Sequence, residues 1–473
     1  MKATAIVVLC AAVLAAHLPA QVNDGDLVIG QFRDPTVPNS YGPGSIVSLD
    51  PTTGKVYTIA PSFTMAGTLA MGPNWIEMAS DNTNFMVASL PQGTSPTTNG
   101  KGVYFHSVSS AGHILKTLVA DPNPTNSLDY INAFDLDYDG TWILAGGYTV
   151  WAFDELTLAY STLYAVPSAT GQINALAVDR APAGPEYVLA LFNASTSANP
   201  FLVGANRSGI VSTIAAGNGG PAYVSSIEVD RMTGDYITTG FGTNAAGGGA
   251  EYMRTTKQGV LQTLNFPATV TSMYRANGIY IDKQNLAYIL TYDWQTQPIP
   301  TLADNYVCSI YKMDLQGVFI TQYIYSSTLL RQFWAAAGIT EYGSRHVLCQ
   351  GSGQPGTKMT VRFSSRKPSD AGRPYQLAAS FAYTSGLRMP NGEYLDLMMD
   401  DLFLLTARNQ APHIFQGFTG MLDAAGNASA AVVLPASLPP KLGIPIFVSG
   451  VVIDPKAPGG IATVGNTHGF VLN

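Results

Sequence analysis

The chain has few charged residues and few cysteines, and each shortage excludes a class of protein. Only 12% of its 473 residues are Asp, Glu, Lys or Arg, which argues against a coiled coil, a long solvated helix or a disordered acidic tail. The basic residues are scattered singly, so the chain offers no basic face for nucleic acid. Cys308 and Cys349, which follow the first 20 residues, are too few for a disulfide framework, and the sequence leaves their pairing open.

Sequence motifs of the common hydrolases and redox enzymes are missing as well. The chain contains no G-x-S-x-G, H-E-x-x-H, C-x-x-C or phosphate-binding P-loop motif. The histidines beyond the first 20 residues stand far apart, which predicts surface or edge positions for all of them: His106, His113, His346, His413 and His468. The sequence therefore identifies no catalytic residue.

Residues 1–20 have the pattern of an export signal. Lys2 provides a positive start, an uncharged apolar run covers residues 5–16, and Ala20 is a small residue at the expected cleavage site. The run is too short to span a bilayer permanently, and no apolar stretch of about 18 residues follows it. We therefore predict a mature chain without a transmembrane segment that is secreted, periplasmic or associated with the cell envelope.

One phrase recurs along the first three quarters of the chain: alternating apolar residues that end in an acidic residue, a turn, and a second apolar run. The copies recur at irregular intervals of roughly fifty residues, and strands linked by hairpins can be placed within each unit. Four such strands per unit are typical of a propeller blade. The copies, of which the first and last are weaker, are 75–81, 131–137, 173–179, 224–230, 276–282 and 335–341.

The two ends of the repeated region complement each other. Three N-terminal strands, at 27–30, 45–50 and 55–60, lack a preceding inner strand, and the last repeat lacks outer strands. Joining them closes a ring, which removes exposed sheet edges. The predicted fold class is therefore all-β, with an N-terminal β-propeller at 21–354 and a small C-terminal β-sandwich at 355–473. Six blades are predicted, with seven as the alternative.

The C-terminal part also carries a resemblance to a group of known proteins. It looks like the C-terminal domain of exported bacterial proteins of planctomycete type, which often follows a propeller of NHL-like or quinoprotein-like appearance. The resemblance implies an architecture and supplies no catalytic residue. It rests on Gly-Thr-Lys-Met-Thr-Val361, Asp-Leu-Phe-Leu-Leu405, Phe-Gln-Gly-Phe-Thr-Gly-Met-Leu-Asp423 and Val-Val-Ile-Asp-Pro455.

Three carboxylates at alternate positions precede Gly140, as at the start of a calcium loop. They belong to Asp135, Asp137 and Asp139. An EF-hand would need a carboxylate at its twelfth position, where this chain has Gly146. One interpretation is a hairpin stabilised by aspartate, and the other is a weak Ca²⁺ site at the rim of a blade. Ca²⁺ is the only cofactor that the sequence suggests.

Polar residues stand five positions before the acidic residue in the four stronger repeats. If the inner strands line a central channel, these side chains converge at one mouth, where amides and hydroxyls suit a glycan, another small polar ligand or a protein of the envelope. The other interpretation is that each side chain bonds neighbouring backbone where the chain enters a blade. The four residues are Asn132, Asn174, Ser225 and Asn277.

Together these observations predict binding or scaffolding at or outside the cell envelope, without catalysis. The alternative is a propeller hydrolase or lyase of lactonase-like type with its active site at the channel mouth. Such an enzyme needs a metal or a pair of carboxylates on the axis, whereas the acidic residues here end the inner strands more often than they begin them. A third interpretation makes the C-terminal domain an attachment or sorting module.

Overall fold

Strands make up most of the structure, as the alternating apolar pattern predicts. Among the described residues, no helix is long and apolar enough to cross a membrane. The predicted export signal and Asp139 lie outside the described residues. The computed structural model describes residues 22–31, 44–60, 63–65, 69–81, 83–91, 103–121, 131–137, 140–155, 157–167, 170–179, 185–192, 201–215, 223–241, 250–264, 266, 273–294, 306–326, 336–344, 346–365, 367–383, 386–440 and 442–472.

Antiparallel sheets of four or five strands follow one another through the repeated region, and we number them in chain order. Sheet 1 contains β1 (Leu27–Gln31), β2 (Ser45–Leu49), β3 (Val56–Ala60) and β25 (Ala336–Glu341). Sheet 2 contains β4 (Thr64–Met65), β5 (Leu69–Met78), β6 (Phe85–Pro91), β7 (Val103–Val108) and β8 (Ile114–Asp121). Sheet 3 contains β9 (Ala133–Leu136), β10 (Thr141–Gly146), β11 (Thr149–Asp154) and β12 (Ala159–Ala165).

The remaining sheets of this region have the same hairpin connectivity. Sheet 4 contains β13 (Gln172–Val178), β14 (Tyr187–Phe192), β15 (Phe201–Asn206) and β16 (Gly209–Ala215). Sheet 5 contains β17 (Tyr223–Val229), β18 (Tyr236–Phe241), β19 (Ala250–Thr255) and β20 (Leu261–Leu264). Sheet 6 contains β21 (Met273–Ile281), β22 (Leu286–Trp294), β23 (Tyr306–Asp314) and β24 (Phe319–Ser326).

The two ends of the repeated region meet in sheet 1. β25 pairs antiparallel with β1, with Ile339 opposite Ile29, so the predicted pairing of the N-terminal strands with the last repeat is confirmed. We call β25, β5, β9, β13, β17 and β21 the inner strands. They pack neighbour against neighbour in that order, and β21 packs back against β25. The packing order is therefore circular, as in a β-propeller.

Burial falls from the inner strand of a sheet to its outermost strand. In sheet 4 every residue of β13 after Gln172 is buried, whereas the middle of β16 is exposed. This gradient follows from the circular packing, because inner strands are covered by adjacent sheets and the outermost strands face solvent.

The acidic residue that ends an inner strand connects its sheet to the next one. Asp137, directly after β9, is almost fully buried. Its Oδ2 accepts hydrogen bonds from the Tyr187 hydroxyl at 3.0 Å and from Arg207 Nη2 at 2.9 Å. Both donors belong to sheet 4, so the carboxylate of one sheet is neutralised by the next, and we call this arrangement a latch.

A second latch joins sheets 4 and 5 in the same way. Asp179 follows β13, and its Oδ2 accepts a hydrogen bond from the Tyr236 hydroxyl at 2.6 Å. The Lys257 ammonium lies 2.9 Å from Oδ1 and 2.7 Å from Oδ2 of the same carboxylate. The recurring acid thus has a structural role. Its partners from the next sheet offset the cost of burying the carboxylate, and the contact connects the two sheets.

Backbone hydrogen bonds place the inner strands in a common register and correct the two weaker repeats. Asp137 N donates to Thr141 O at 2.8 Å where β9 turns into β10. The equivalent donors in sheets 2 and 1 are Ala79 N, to Asn84 O at 2.9 Å, and Tyr342 N, to Asp26 O at 2.8 Å. The alignment of Asp81 and Glu341 with the other acidic residues is therefore wrong. Asp81 and Glu341 lie close to the closing positions, Ala79 and Tyr342, without occupying them.

The C-terminal part contains two larger sheets that share one hydrophobic core, in which Val361 and Phe363 of one sheet cluster with Leu377 and Val448 of the other. Sheet 7 contains β26 (Val347–Gln350), β27 (Lys358–Ser364), β33 (Asn427–Val433) and β31 (Phe415–Gln416). Sheet 8 contains β32 (Thr419–Met421), β28 (Pro374–Ser380), β34 (Ile444–Ile453), β35 (Ile461–Val464) and β36 (His468–Leu472). The other elements are a hairpin of β29 (Leu387–Arg388) and β30 (Tyr394–Leu395), helix α1 (Asp401–Ala407), and 3₁₀ turns at Pro368–Asp370 and Pro458–Gly460.

The C-terminal part contacts the end of the ring at which the inner strands finish. Arg231 and Lys283 directly follow the acids that end β17 and β21, so they are equivalent residues of neighbouring repeats. The carbonyl of Arg231 accepts a hydrogen bond from Gly386 N at 2.7 Å, and that of Lys283 accepts one from Tyr394 N at 2.9 Å. These paired contacts attach the β29–β30 hairpin to the turns of two adjacent sheets.

Side chains of the same two residues add charged contacts. Arg231 forms an ion pair with Asp396, whose side chain is almost fully buried. Lys283 Nζ is hydrogen-bonded to His346 Nε2, and Nδ1 of this imidazole lies 2.6 Å from Ser364 O. Burial lowers the pKa of Lys283 to about 8. The contacts suit an imidazole that donates from Nδ1 to the carbonyl and accepts at Nε2 from the lysine.

Candidate ligand-binding site

Five of the six inner strands have a β-bulge five residues before the residue that closes the strand, and Asn132 has the equivalent position directly before β9. In β13 the register shifts between Ile173 and Ala175, which makes Asn174 the extra residue, and β17 shifts in the same way around Ser225. Directly before β9, Asn132 N donates to the carbonyl of Ala145, the residue that also lies opposite Ala133. The residues at the bulges are Asn74, Asn132, Asn174, Ser225, Asn277 and Ala337.

This register explains the spacing found in the sequence. Each bulge residue stands five positions before the residue that closes its inner strand. Bulges tolerate residues such as Asn and Ser, whose short polar side chains accept irregular backbone conformations. Since the inner strands pack in a circle, equivalent bulges lie at one level around its axis. The structure therefore brings the four predicted residues to one end of the ring, which we call the mouth.

The mouth faces away from the C-terminal part. The bulges lie near the beginning of the inner strands, whereas Arg231 and Lys283 mark their far ends. Five residues of extended chain separate the two levels by about 16 Å. A ligand at the mouth would consequently reach the ring without passing the C-terminal sheets.

The predicted mouth residues differ in how their side chains are bonded. Asn132 Nδ2 donates to the Ile173 carbonyl of the next inner strand at 2.6 Å, which is the backbone contact that the second interpretation predicts. Asn174 is 6% exposed, yet its Nδ2 has no hydrogen-bond partner. Ser225 is half-buried and its Oγ also has none. Asn277 is half-buried at the equivalent bulge. Thus one amide is used structurally, while Asn174 and Ser225 retain unused bonding capacity.

Buried polar atoms without a partner concentrate in sheet 5. Ser225, Ser226, Thr239 and Glu251 each contribute one near the mouth end of this sheet. Burial raises the pKa of Glu251, whose Oε2 is among these atoms. Native proteins pair most buried polar atoms with protein groups or with ordered water, so these four atoms are candidates for contact with a ligand or with water.

These atoms face two different sides of sheet 5. Glu251 lies opposite Gly240, which lies opposite Val224, so Glu251 points to the face that packs against sheet 4. Ser226 and Thr239 are opposite each other on the reverse face, which packs against sheet 6. Glu251 is therefore on the same side of the sheet as the Asn174 bulge, whereas the two hydroxyls are separated from it.

An aromatic pair joins the mouth ends of sheets 4 and 5. Phe192 ends β14 and Tyr223 begins β17, and both residues are half-buried. Their ring centroids lie 5.5 Å apart with a tilt of 57° between the planes. Antiparallel pairing puts Phe192 opposite Gln172, at the mouth end of sheet 4. The two rings therefore connect sheets 4 and 5 at the mouth end.

The three predicted calcium ligands are not all within the described residues. Asp135 Oδ1 accepts a hydrogen bond from Leu136 N at 2.7 Å, and Oδ2 accepts one from Val178 N at 3.0 Å. Asp137 belongs to the first latch, and Asp139 lies outside the described part of the chain. In that part, no group of three or more His, Cys, Asp or Glu side chains could hold a metal ion. The calcium hypothesis stays a prediction, which calorimetric titration with Ca²⁺ tests.

Two expectations about reactive side chains are settled. The surface or edge assignment is wrong for His106, His346 and His468, which are all buried. His106 contacts the Ser89 hydroxyl at 2.7 Å within sheet 2, and burial lowers the pKa of His106 to about 4. Hydrogen-bonded burial hid these imidazoles from a prediction based on spacing alone. Cys349 is a buried free thiol, so it does not pair with Cys308.

A concavity of about 1570 Å³ lies between the turn ends of sheets 2 to 4 and the C-terminal sheet 7. Carboxylates such as Asp81 and Glu155 line its propeller side, and Arg362 and Asn427 line its other side. Glu155 Oε2 already accepts hydrogen bonds from Ser80 at 2.8 Å and from Trp142 at 3.2 Å. The unpaired atoms of Ser225, Ser226, Thr239 and Glu251 lie at the opposite end of the ring, whereas that of Thr255 lies at the turn end of sheet 5.

Comparison with known proteins adds only distant overall likenesses. The chain is similar to regucalcin, a calcium-binding protein of Agrobacterium tumefaciens, with 9% identity and a TM-score of 0.37 over 77% of this chain and 94% of that one. It is similar to Sqt1 of Chaetomium thermophilum, with 10% identity and a TM-score of 0.35 over 87% and 99% of the two chains. For the endosialidase of phage phi92 the values are 8% and 0.30 over 87% and 69%. No family model and no curated protein matches the sequence. At these scores nothing about activity follows.

Sequence reasoning missed Asn74, Glu251 and the Phe192–Tyr223 pair. A signal for Asn74 was present, because Asn74-Trp-Ile-Glu-Met78 and Asn132-Ala-Phe-Asp-Leu136 share the order Asn, any residue, apolar, acidic, apolar. Alignment on that order instead of on the final acid would have found the bulge. Glu251 and the aromatic pair carry no local signal, since they meet only when strands distant in sequence come together.

Proposed function

We propose that this protein is an exported, non-enzymatic binding protein whose ligand site is the mouth of a six-bladed β-propeller. In this proposal sheets 1 to 6 are the blades, and sheets 7 and 8 form a C-terminal β-sandwich attached to the opposite face. The ligand is a small polar molecule, a glycan, or a polar segment of an envelope protein. The support for six blades is the circular packing of the inner strands.

The observation that carries the proposed site is the unpaired polar group at two adjacent bulges. Asn174 Nδ2 and Ser225 Oγ are removed from solvent without hydrogen-bond partners. Such groups cost free energy unless something pairs with them, which favours a functional reason for keeping them. Both lie on inner strands that pack against each other, so one ligand could contact both.

Binding is favoured over catalysis because the described residues of the site include one carboxylate with an unpaired atom, that of Glu251. Glycosidic cleavage normally uses two carboxylates, and lactonase-like or lyase chemistry would need a metal or a comparable charged pair. Among the described residues around the mouth, the carboxylate oxygen without a hydrogen-bond partner is Oε2 of Glu251. A hydrolase and lyase activity panel tests the alternative. Turnover that disappears when Glu251 is replaced by Gln would overturn the non-enzymatic assignment.

The test of the site is a ligand screen on the full mature protein. Thermal-shift and glycan-array screening should identify a ligand, and calorimetry should show weaker binding to the Asn174→Ala and Ser225→Ala variants. Gln284→Ala is the matched control, because this exposed residue lies at the opposite end of an inner strand. A ligand that all three variants bind as tightly as the parent would contradict a site at the mouth.

Export is the part of the proposal that rests on residues 1–20. Expression of the whole chain in a bacterium, followed by mass spectrometry of the exported fraction, should find a product that begins at Gln21. Retention of the uncleaved chain in the cytoplasm would contradict both the predicted signal and the extracytoplasmic address.

A further inference from the structure

We propose that acid loosens the contact between the C-terminal sheets and the ring, because a protonated His346 cannot keep its hydrogen bond with Lys283. The proposal concerns the end of the ring opposite the mouth, so it does not depend on the proposed function. Its basis is one buried imidazole whose two nitrogens contact the two parts of the chain.

His346 lies directly before β26, where the chain passes from the ring to sheet 7. Its side chain is 6% exposed. Nε2 contacts Nζ of Lys283, which belongs to the ring, and Nδ1 lies 2.6 Å from the Ser364 carbonyl at the end of β27. A carbonyl oxygen only accepts hydrogen bonds, so Nδ1 carries a hydrogen in this contact. The remaining contact, between Nε2 and Nζ, therefore holds one proton between two basic nitrogens.

This contact has no place for a second proton. An ammonium group and an imidazolium nitrogen only donate, so a protonated Lys283 and a protonated His346 cannot hydrogen-bond to each other. Burial lowers the pKa of Lys283 to about 8, so below that pH the amine already carries its proton. Acidification from neutral pH thus acts on the imidazole, where it replaces a hydrogen bond with repulsion between adjacent cations.

Neighbouring charges reduce this repulsion and do not restore the lost hydrogen bond. Glu341 and Glu393 attract Lys283, but each has another partner. The Tyr280 hydroxyl donates to Glu341 at 3.0 Å, and Val464 N donates to Glu393 at 2.7 Å. Among the described residues, the other charged groups around the contact are Arg231, Asp282 and Lys367, with Asp24 close to Gly343 and Arg362 on the wall of the adjoining concavity.

Glu341 and His346 respond to acid with opposite signs. Burial raises the pKa of Glu341, so its protonated form favours the closed contact, and acid strengthens the contact through this group. An exposed imidazole takes up a proton at about pH 6.5, and the closed contact excludes that proton, so acid weakens the contact through His346. A substitution of His346 separates the two contributions, because Glu341 stays in place.

The Lys283 turn carries the effect to the β29–β30 hairpin. The same residue that contacts the imidazole also accepts a hydrogen bond from Tyr394 N at 2.9 Å through its carbonyl, next to the bond from Gly386 N to Arg231. His346 also lines the concavity of about 1570 Å³ between the ring and sheet 7, from which solvent protons can reach it. Release of the hairpin would therefore widen that concavity.

Hydrogen exchange on the full mature protein, measured by mass spectrometry at pH 7 and pH 5, tests the proposal. The amides of Gly386 and Tyr394 report the contact, and Leu377 N, which donates to the Phe418 carbonyl within the C-terminal part, is the internal reference. One histidine changes the ratio of open to closed contact at most tenfold per pH unit below about 6.5. After correction for intrinsic exchange, protection of the hairpin should fall about tenfold to thirtyfold at pH 5, while that of Leu377 stays unchanged.

Three variants identify the group responsible. His346→Gln provides a donor and an acceptor that do not titrate, so the hairpin should stay protected at both pH values. Lys283→Met keeps the backbone carbonyl and removes the ammonium, so the acid response should be largely lost. His413→Gln is the matched control, because this histidine is exposed in the same part of the chain, and it should respond to acid like the parent.

Equal protection of the hairpin at both pH values in the parent would overturn the proposal. An acid response that His346→Gln retains would overturn it as well, since another group would then cause the loosening. If His346→Gln leaves the hairpin unprotected even at pH 7, Lys283→Met decides the question: loss of the acid response supports the proposal, and a response equal to that of the parent refutes it.

Discussion

The latch between sheets 4 and 5 gives a quantitative test of how the ring is held together. Tyr236→Phe removes the hydroxyl that donates to buried Asp179 at 2.6 Å and keeps the aromatic side chain. Lys257 stays within 2.7 Å of the same carboxylate, so the charge keeps one partner. A hydrogen bond to a charged group contributes about 1.5–3 kcal/mol, and we therefore expect a loss of about 2 kcal/mol in the free energy of unfolding.

Removing the Lys257 ammonium from this latch should lower the free energy of unfolding more than removing the Tyr236 hydroxyl does. Lys257→Met leaves the buried carboxylate with Tyr236 as its remaining donor from the next sheet, and breaking a buried ion pair typically costs about 3–5 kcal/mol. Because the Lys257 side chain is 26% exposed, we expect the loss in the free energy of unfolding to be about 3 kcal/mol. The two donors share one carboxylate, so the double variant should deviate from additivity by about 1 kcal/mol.

Urea unfolding followed by tryptophan fluorescence measures these differences, with Tyr252→Phe as the matched control. The Tyr252 hydroxyl donates at 3.1 Å to the backbone carbonyl of Asp314, which is a neutral acceptor, so its loss should cost only about 1 kcal/mol. Burial and the Asp179 charge raise the pKa of Tyr236, so its hydroxyl remains a donor throughout the neutral range. If Tyr236→Phe costs no more than Tyr252→Phe, the latch does not stabilise the contact between the sheets.

Three further predictions concern the mouth, the thiol and the attachment of the C-terminal part. Burial raises the pKa of Glu251 above its ordinary value of 4.5, so the stability linked to its protonated form is present below that pH and lost as the pH rises through the folded-state value. Glu251→Gln should consequently raise the Tm at pH 7.5, with a gain that shrinks toward pH 4 in differential scanning calorimetry; an unchanged Tm at both pH values would contradict this. Burial also raises the pKa of Cys349, so iodoacetamide should label this thiol only after unfolding. Peptide mass spectrometry measures the labelling, and labelling of the native protein would contradict the buried position. Arg231→Met removes the cation from buried Asp396 and should lower the free energy of unfolding by about 3 kcal/mol. It should also increase proteolysis between the ring and the C-terminal sheets, whereas Arg231→Lys should largely preserve both properties.

Local pattern in the sequence was sufficient for much of the architecture. Short apolar runs that end in an acidic residue predicted the inner strands, because a strand covered on both faces by adjacent sheets has mostly apolar side chains. The spacing of five residues before Asp137, Asp179 and Asp230 located the bulge positions, since the number of residues between a bulge and a strand end is the same in every repeat. The pairing of the N-terminal strands with the last repeat followed from counting strands that lacked neighbours.

Other features could be found only in the tertiary structure. The role of Asp137 depends on Tyr187 and Arg207, which lie in the next sheet, so a calcium ligand and a latch acid have the same appearance in the sequence. Glu251 faces sheet 4 because strand register sets which face of sheet 5 each residue occupies, and the register becomes known only when the strands pair. Repeating periods specify the elements, whereas which polar atoms remain unpaired depends on the packing of residues that are far apart along the chain.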